Sequence, residues 1–316
     1  MKIDAPGGAP IVHLNADPAP DGLVARFVSM ADGVRLRAAV APAGGGRVRG
    51  AVLIAPGRTE TVEKYFEAMR DLAPRGFASF VIDHRGQGLS DRAVGGGRGH
   101  IDRFDLYGQD FAAAVTAFEA DLPKPWIGLG HSMGGLIMLE LLQDRRLDIA
   151  GAILSAPMTG LAVVTDLHLI AASALSRLGV AKKFIPGGNF EPAPQFEENE
   201  VTHDRGRYQH ILDRLAIAPE LGLGDPTIGW TAAAYRAMRR SISPKALRPL
   251  NTPLLILSAA DDTIVDNTTH ARIAELAPRA VRVETPGAAH EILTETDEVR
   301  QAFWTAFDAF VCGLGI

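Results

Sequence analysis

A serine framed by glycines constrains the fold of this chain more than any other feature. Residues 127–135 read Ile-Gly-Leu-Gly-His-Ser-Met-Gly-Gly, which puts Ser132 between Gly130 and Gly134. The apolar run at 125–129 is typical of a buried strand, and the pattern at 136–142 is typical of a helix. A serine at such a sharp strand-to-helix turn exposes its hydroxyl, and the glycines let strand and helix approach closely. The segment therefore predicts a nucleophile at Ser132 beside a helix N-terminus.

Two other interpretations of this segment are weaker. A chain with 33 glycines can carry Gly-x-Ser-x-Gly by chance. The same glycines also resemble a dinucleotide-binding fingerprint, but Met133 occupies the position where that fingerprint needs its third glycine. The strand before and the helix after Ser132 favour the nucleophile.

Strand-like and helical patterns alternate along most of the chain. Apolar runs lie at 51–55, 78–82, 125–129, 150–155, 253–258 and 281–284. Helical patterns lie at 62–73, 104–122, 136–142, 270–276 and 299–312. This alternation predicts an α/β fold with a mostly parallel central sheet and helices on both faces, preceded by a hairpin over 25–30 and 34–41.

The alternation is interrupted once, which suggests how the domains are arranged. Residues 158–249 contain no strand-like run of comparable quality and are predicted to form a helical cap, with helices at 161–178 and 230–241. The α/β core then comprises 25–157 and 250–316, and residues 1–24 form a loosely held N-terminal arm. Between Asp166 and Arg177 the cap carries no formal charge. This helix either packs on the core or provides an acyl-binding wall, for which Leu169 and Ile170 are the candidate substrate-binding residues.

Composition narrows the classes of partner and compartment. The net charge of −5 over 316 residues gives no reason to expect nucleic acid as a partner. The N-terminus has no signal-peptide pattern, and no uncharged apolar run reaches the ~18 residues of a transmembrane segment. The single cysteine, Cys312, excludes an internal disulfide and suits a reducing compartment. We expect a cytoplasmic protein that can make peripheral contact with the inner face of the membrane.

The remaining catalytic groups are sought on the late loops. A serine nucleophile needs an imidazole as base and a carboxylate that fixes the imidazole tautomer. His290 is the one histidine in a loop after the last apolar strand, and Asp261, Asp262 and Asp266 all follow the strand at 253–258. Spacing alone does not choose among the three acids. The oxyanion is expected to meet the backbone N–H groups of Met133 and Arg58, since Pro56 has none to donate.

Five segments carry a resemblance to a known family: 55–58 (Ala-Pro-Gly-Arg), 83–90 (Asp-His-Arg-Gly-Gln-Gly-Leu-Ser), 130–135, 262–267 and 289–291. With them the chain resembles the α/β-hydrolase superfamily and, within it, the lysophospholipase and monoacylglycerol lipase branch. The resemblance implies an α/β-hydrolase fold and places the catalytic acid at Asp262. Monoacylglycerol lipases typically begin the oxyanion loop with His-Gly. The Pro56-Gly57-Arg58 of this chain is similar to bacterial lysophospholipase-like members instead. Residues 83–90 are expected to position loops and to take no part in the chemistry.

The residues and the resemblance together predict a function. The leading hypothesis is a serine hydrolase that cleaves the carboxylic ester of a lysophospholipid or a monoacylglycerol through an acyl-enzyme, with no cofactor and no metal. One alternative is a general carboxylesterase for small esters. The other is a non-enzymatic sensor that binds a small ligand in the same pocket, which the presence of Ser132, Asp262 and His290 together disfavours.

Overall fold

One mixed sheet forms the centre of the molecule. The structure, a computed structural model, describes residues 8–162, 166–191 and 193–316, without the side chains of residues 166–169. The strands are β1 (Val24–Ser29), β2 (Arg35–Ala41), β3 (Gly50–Ala55), β4 (Phe77–Ile82), β5 (Trp126–His131), β6 (Gly151–Ser155), β7 (Leu254–Ala259) and β8 (Ala280–Thr285). Their order in the sheet is β1-β2-β4-β3-β5-β6-β7-β8. Only the pairs β1–β2 and β2–β4 are antiparallel in the described sheet, which confirms the predicted hairpin and the mostly parallel character.

Helices cover both faces of this sheet. They are α1 (Phe66–Leu72), α2 (Asp105–Ala117), α3 (Met133–Gln143), α4 (Asp166–Leu175), α5 (Arg205–Ile217), α6 (Ile228–Ser241), α7 (Pro244–Leu247), α8 (Asn267–Leu276) and α9 (Asp297–Gly313). One apolar cluster joins the sheet to α1 and α9, and a second joins it to α2, α3 and α8. The predicted fold class is thereby confirmed. Within the described residues we find no helix long and apolar enough to cross a membrane.

The parallel strands bring the candidate site residues to one edge of the sheet. In β3 and β5, Ala55 is paired with Gly130, so the loop after β3 begins beside the turn after β5. In β7 and β8, Ala259 is paired with Thr285, so the loops that carry the candidate acid and base also begin side by side. Loops that follow parallel strands meet at the carboxyl edge of the sheet, which is the usual place for a site in an open α/β sheet.

The segment between β6 and β7 forms the helical insertion. It holds α4 to α7, and α6 covers the predicted helix at 230–241. The predicted helix at 161–178 corresponds to α4, which is followed by a wider turn at Ser176–Val180 that is kinked at Gly179. Helix α5 was not predicted. Because Leu247 and Leu250 join the core cluster, the insertion merges into the core at its C-terminal end, and the boundaries 158 and 249 stay a prediction.

The N-terminal segment differs from the expected loose arm. From Ala9 onward it packs against the sheet, with Ala9 and Ile11 buried in the same cluster as α1. Asp17 forms ion pairs with Arg70 at 2.5 Å and with Arg214 of α5 at 2.8 Å. The expectation of a loosely held arm was therefore wrong for residues 8–20. The expectation rested on the composition of the segment, which is rich in proline and alanine. Composition does not show the partners far along the chain that hold this segment in place.

Candidate active site

The turn between β5 and α3 has the geometry of a nucleophile elbow. Ser132 adopts φ 50° and ψ −117°, a strained conformation for a residue other than glycine. A side chain at Gly130 would collide with the Gly134 carbonyl, and one at Gly134 would collide with the Ala55 carbonyl. The glycines therefore allow the close approach of strand, helix and neighbouring loop that was predicted from the sequence.

His290 and Asp262 lie together at the ends of their loops. The Nδ1 of His290 is 2.7 Å from Oδ2 of Asp262. The other carboxylate oxygen of Asp262 accepts hydrogen bonds from the backbone N–H groups of Ile264 at 2.8 Å and Val265 at 3.0 Å. Asp262 is thus held on one side by its own loop and presents its free oxygen to the imidazole.

The two other candidate acids do not contact His290. Asp261 is exposed to solvent. Asp266 caps helix α8 by accepting a hydrogen bond from the N–H of Thr268 at 2.9 Å. Of the three acids that spacing left open, the structure brings Asp262 to the imidazole.

The charge state of Asp262 follows from these contacts. Burial raises the pKa of its carboxyl, but the hydrogen bond to His290 and the two backbone N–H groups outweigh burial. The net effect lowers the pKa of Asp262 below its ordinary value. The carboxylate is therefore ionised at neutral pH and fixes the proton of His290 on Nδ1, which leaves Nε2 as the basic nitrogen.

His131, which precedes Ser132 in the chain, contacts His290. The rings of His131 and His290 lie 4.9 Å apart, and His131 Nε2 is 3.1 Å from the backbone oxygen of His290. The backbone of Ser132 is fixed on β6 by a 3.0 Å hydrogen bond to the Ser155 carbonyl. In the described part of the chain, Ser132 Oγ and His290 Nε2 are not hydrogen-bonded. In unliganded hydrolases this bond is often long and tightens only with substrate.

The predicted oxyanion donors lie on adjoining segments. The N–H of Gly57 donates to Glu60, and the N–H of Thr59 donates to Gln87 Oε1 at 2.6 Å. Between them, the N–H of Arg58 has no hydrogen-bond partner among the described residues. Met133, the other predicted donor, is the first residue of α3, and its Sδ lies 3.8 Å from Gln87 Nε2. Like that of Arg58, the N–H of Met133 has no hydrogen-bond partner among the residues that the structure describes.

A buried cluster of charged groups connects the three site loops. Glu60 Oε1 lies 2.9 Å from Lys64 Nζ and 2.9 Å from His131 Nδ1. The N–H direction at His131 Nδ1 falls short of hydrogen-bond geometry, so this contact is an ion pair. Lys64 also forms an ion pair with Glu291, the residue after His290. We call these four residues, Glu60, Lys64, His131 and Glu291, the buried ion cluster.

Opposite charges set the protonation of this cluster. Burial raises the pKa of Glu60, but the charges of Lys64 and His131 outweigh it and bring that pKa well below its ordinary value. Burial lowers the pKa of His131, but the charge of Glu60 outweighs it and raises that pKa. Glu60 is therefore ionised, and His131 binds its proton more tightly than a free imidazole does.

The sequence analysis did not identify this cluster. Glu60 lies just before the first helical turn after β3, and Lys64 lies four residues later, within that turn. Both are positions that a helix buries. Charged residues on a buried helical face were the available signal. Their partners His131 and Glu291, however, lie far along the chain and are not indicated by local periodicity.

The segment 83–90 has the positioning role that was predicted. Asp83 is fully buried and accepts hydrogen bonds from Arg37 at 2.7 Å, from the N–H of Val62 at 2.8 Å and from the N–H of Leu89 at 2.8 Å. Arg37 in turn forms a 2.6 Å ion pair with Glu63. These bonds tie the hairpin to the loops that flank the site.

Two cavities of the protein are large enough to compare as candidate substrate sites. A cavity of about 160 Å³ lies between core and cap, lined among others by Thr59, Lys64 and Glu291 from the core and by Tyr208 and Leu223 from the cap. A larger groove of about 790 Å³ lies at the far end of α3, where Gln143 and Asn251 line it. The lining of the smaller cavity includes Thr59 and Glu291, the chain neighbours of Arg58 and His290.

The structure leaves the substrate-binding role predicted for Leu169 and Ile170 untested. The side chain of Leu169 lies outside the described part of the chain. Ile170 is 59% exposed on α4. An acyl-binding role for both stays a prediction. Nor do three His, Cys, Asp or Glu side chains group together, within the described residues, in a way that would hold a metal ion.

Known proteins resemble this chain in both sequence and structure. The family model Hydrolase_4, described as "Serine aminopeptidase, S33", matches residues 46–297. Lysophospholipase L2 of Escherichia coli (strain K12) is 36% identical over 266 residues, covering 79% of this chain and 76% of the relative. Probable lysophospholipase L2 of Haemophilus influenzae is 31% identical, covering 80% of this chain and 81% of the relative. A soluble variant of monoglyceride lipase from Saccharomyces cerevisiae, solved with a substrate analogue, has a TM-score of 0.74 at 21% identity, covering 92% of this chain and 96% of that chain.

Proposed function

Since the chain belongs to the Hydrolase_4 family of serine hydrolases, we propose that it cleaves the carboxylic ester of a single-chain lipid, a lysophospholipid or a monoacylglycerol. The observation that carries this proposal is the 2.7 Å contact of His290 with Asp262 beside the strained Ser132. The identity of 36% to lysophospholipase L2 supports a lipid ester as substrate.

The proposed reaction runs in two steps. His290 Nε2 takes the proton of Ser132 Oγ while that oxygen attacks the ester carbonyl carbon, and the negative charge that develops on the carbonyl oxygen meets the N–H groups of Arg58 and Met133. The C–O bond to the glycerol then breaks, and His290 gives its proton to the departing alkoxide. Water, activated by the same imidazole, hydrolyses the acyl-serine and releases a fatty acid.

Release of fatty acid tests this proposal. We expect the protein to hydrolyse lysophospholipids and monoacylglycerols faster than butyrate esters. Ser132→Ala should abolish hydrolysis while leaving the thermal melting curve unchanged, since loss of a catalytic nucleophile costs several orders of magnitude in rate. Preference for short esters would favour a general carboxylesterase. Equal rates for Ser132→Ala and the unmodified protein would remove Ser132 from the mechanism.

An activated organophosphonate separates an enzyme from a ligand-binding sensor. Such a probe forms a covalent bond only with an activated serine. We expect Ser132 to be modified and Ser90 and Ser155 to stay unmodified. Modification at either of those serines, or at none, contradicts the proposed role of Ser132.

We further propose a cytoplasmic location with peripheral contact at a membrane surface. Large apolar side chains are exposed on the insertion, with Ile170 at 59%, Leu178 at 74% and Phe190 at 48%. Exposed apolar groups of this kind favour insertion between lipid headgroups. The free thiol of Cys312 suits a reducing compartment. Sedimentation with phosphatidylglycerol vesicles should carry the protein down, and Leu178→Glu should reduce the fraction that sediments.

A further inference from the structure

Arg58 extends from the predicted oxyanion loop to the cap. Its Nη2 donates a hydrogen bond to the carbonyl of Gly224, in the segment that precedes α6. Its guanidinium carbon lies 5.3 Å from the centre of the Trp230 ring on α6. The side chain of Arg58 thus bridges the predicted oxyanion loop and the cap.

The guanidinium of Arg58 has no counter-ion in contact. Among the described residues no carboxylate lies within 4 Å of it, whereas the buried Arg37 contacts both Glu63 and Asp83. Its Nε is closed to solvent and has no hydrogen-bond partner in the described part of the chain. A buried cation without a partner is costly, and a bound anion offsets that cost.

The pKa of Arg58 reflects the same lack of a counter-ion. Burial lowers its pKa to about 10, although Tyr107 and the more distant Asp225 act in the opposite direction. At neutral pH the group is still a cation. It therefore presents a part-buried positive charge whose Nε–H has no partner among the described residues, and a guanidinium in this state binds phosphate well.

We propose that the guanidinium of Arg58 binds the phosphate group of a lysophospholipid while the N–H of the same residue receives the oxyanion. This inference rests on the proposed function and narrows its substrate class. It makes Arg58 a specificity-determining residue that favours lysophospholipids over monoacylglycerols, which carry an uncharged hydroxyl at the position of the phosphate.

The distance from ester to phosphate in a lysophospholipid matches the length of an arginine side chain. In a 1-acyl lysophospholipid, six bonds separate the ester carbonyl carbon from phosphorus. In arginine, six bonds separate the backbone nitrogen from the guanidinium carbon. Each span is on the order of 7 Å when extended, from standard bond lengths. An ester held at the Arg58 N–H therefore has its phosphate within reach of the Arg58 side chain. Because Nε is closed to solvent, contact with a phosphate requires the guanidinium to turn or the groups around it to move.

Substrate pairs with one acyl chain provide the test. We would measure kcat/KM for 1-octanoyl lysophosphatidylethanolamine and 1-octanoylglycerol, both below micelle-forming concentrations, with the unmodified protein, Arg58→Lys and Arg58→Gln. The ratio of the two values is the readout, because substitution at the oxyanion loop can change both rates. We expect Arg58→Gln to lower the ratio about ten- to a hundredfold, chiefly through KM, and Arg58→Lys to lower it less.

Arg92 offers a matched control. It also ties the core to this part of the cap, by hydrogen bonds to the Gly222 carbonyl at 2.9 Å and the Glu220 carbonyl at 2.7 Å, but it lies outside the oxyanion loop. Arg92→Gln should leave the substrate ratio unchanged. An equal fall in the ratio for both arginines would mean that Arg58 only docks the cap, and an unchanged ratio in Arg58→Gln would overturn the proposal directly.

Inhibition by headgroup fragments distinguishes the source of the phosphate. At constant ionic strength, glycerol 3-phosphate should inhibit the unmodified protein more strongly than glycerol, and Arg58→Gln should lose that difference. Inhibition by inorganic phosphate without any change in the substrate ratio would make Arg58 a general anion site and overturn its specificity role. If the unmodified protein hydrolyses neither octanoyl substrate, the proposed function fails; if it hydrolyses both at an Arg58-independent ratio, only this inference fails.

Discussion

A set of fully buried ion pairs in the core contrasts with a set of exposed apolar side chains on the cap. In the core, Arg37 forms ion pairs with Glu63 and Asp83 in which all three side chains are fully buried. On the cap, Ile170 and Leu178 expose their apolar side chains, and ion pairs such as Arg205 with Glu197 lie at the surface. We therefore expect the buried pairs to stabilise the fold around Ser132, and the exposed cap side chains to contribute to the choice of substrate. Substitutions in the core should affect rate and stability, and those in the cap should affect substrate choice.

The largest effect is expected at the two neighbouring aspartates of the core. Asp262→Asn should lower kcat about 10⁴-fold, because an amide cannot stabilise the imidazolium and favours the wrong tautomer. Asp261→Asn should change kcat less than about threefold, since surface substitutions away from a site have small effects. Steady-state kinetics with one ester checks both. Equal losses in the two variants would mean that the loop after β7 is arranged differently.

Buried and surface ion pairs should differ sharply in stability. Glu63→Gln breaks a pair in which both side chains are fully buried, and should lower the free energy of unfolding by about 3–5 kcal/mol. Glu197→Gln, in a cap pair whose side chains are 65% and 63% exposed, should leave the urea midpoint unchanged within error. Urea denaturation followed by circular dichroism measures both. Similar midpoints for the two variants would erase the distinction between core and cap.

The sequence predicted those parts of the fold and site that depend on local pattern. The apolar runs correspond to β3 through β8, and the elbow at Ser132 has the predicted strained backbone, because periodicity and glycine placement act within a few residues. The acids at 261, 262 and 266 could not be separated by spacing, since that choice depends on where each side chain of one loop points. The family resemblance named Asp262, and its catalytic role stays a prediction.

Interactions between distant segments were beyond the sequence. The expectation of a loose N-terminal arm failed because Asp17 is held by Arg70 and Arg214. The buried ion cluster was missed for the same reason, since Lys64 and Glu291 belong to loops that meet only in the folded sheet. That no carboxylate of the described residues contacts Arg58 likewise depends on which cap residues surround it. Local periodicity carries no information on such partners.

A smaller effect is expected from the buried ion cluster, with a characteristic pH dependence. Because Glu60 raises the pKa of His131, the folded state holds this proton more tightly than the unfolded chain. The resulting stabilisation is complete below about pH 6.5, and is lost as the pH rises through the raised pKa. His131→Gln should therefore lower stability by about 1–3 kcal/mol at pH 6, the cost of leaving a buried polar group without its partner, and by less at pH 9.

His270 is the matched control for this dependence. It is buried too, with hydrogen bonds to Ser258 at 3.0 Å and to the Pro157 carbonyl at 2.8 Å, but burial lowers its pKa to about 4. The unfolded chain then binds a proton that the folded state does not, so this histidine reduces stability as the pH falls below about 6.5. Melting temperatures from pH 5 to 9 should show opposite trends for His131→Gln and His270→Gln. Parallel trends would mean that His131 is buried as a neutral ring.

The smallest effect is expected on the cap, in the choice of acyl chain. Each methylene buried by a substrate contributes about 0.8 kcal/mol, or roughly fourfold in kcat/KM. If α4 contributes to the acyl-binding wall, Ile170→Glu should lower the ratio of kcat/KM for dodecanoyl over butyryl esters about four- to tenfold and leave stability unchanged, since Ile170 is 59% exposed. Leu178→Glu introduces the same charge at a side chain that is 74% exposed beyond the end of α4, and should leave the chain-length series unchanged. A helix that merely packs on the core predicts equal losses for long and short esters. Parallel loss across the series in a folded Ile170→Glu variant would therefore remove α4 from the substrate site and leave acyl choice to the cavity beside Thr59 and Leu223.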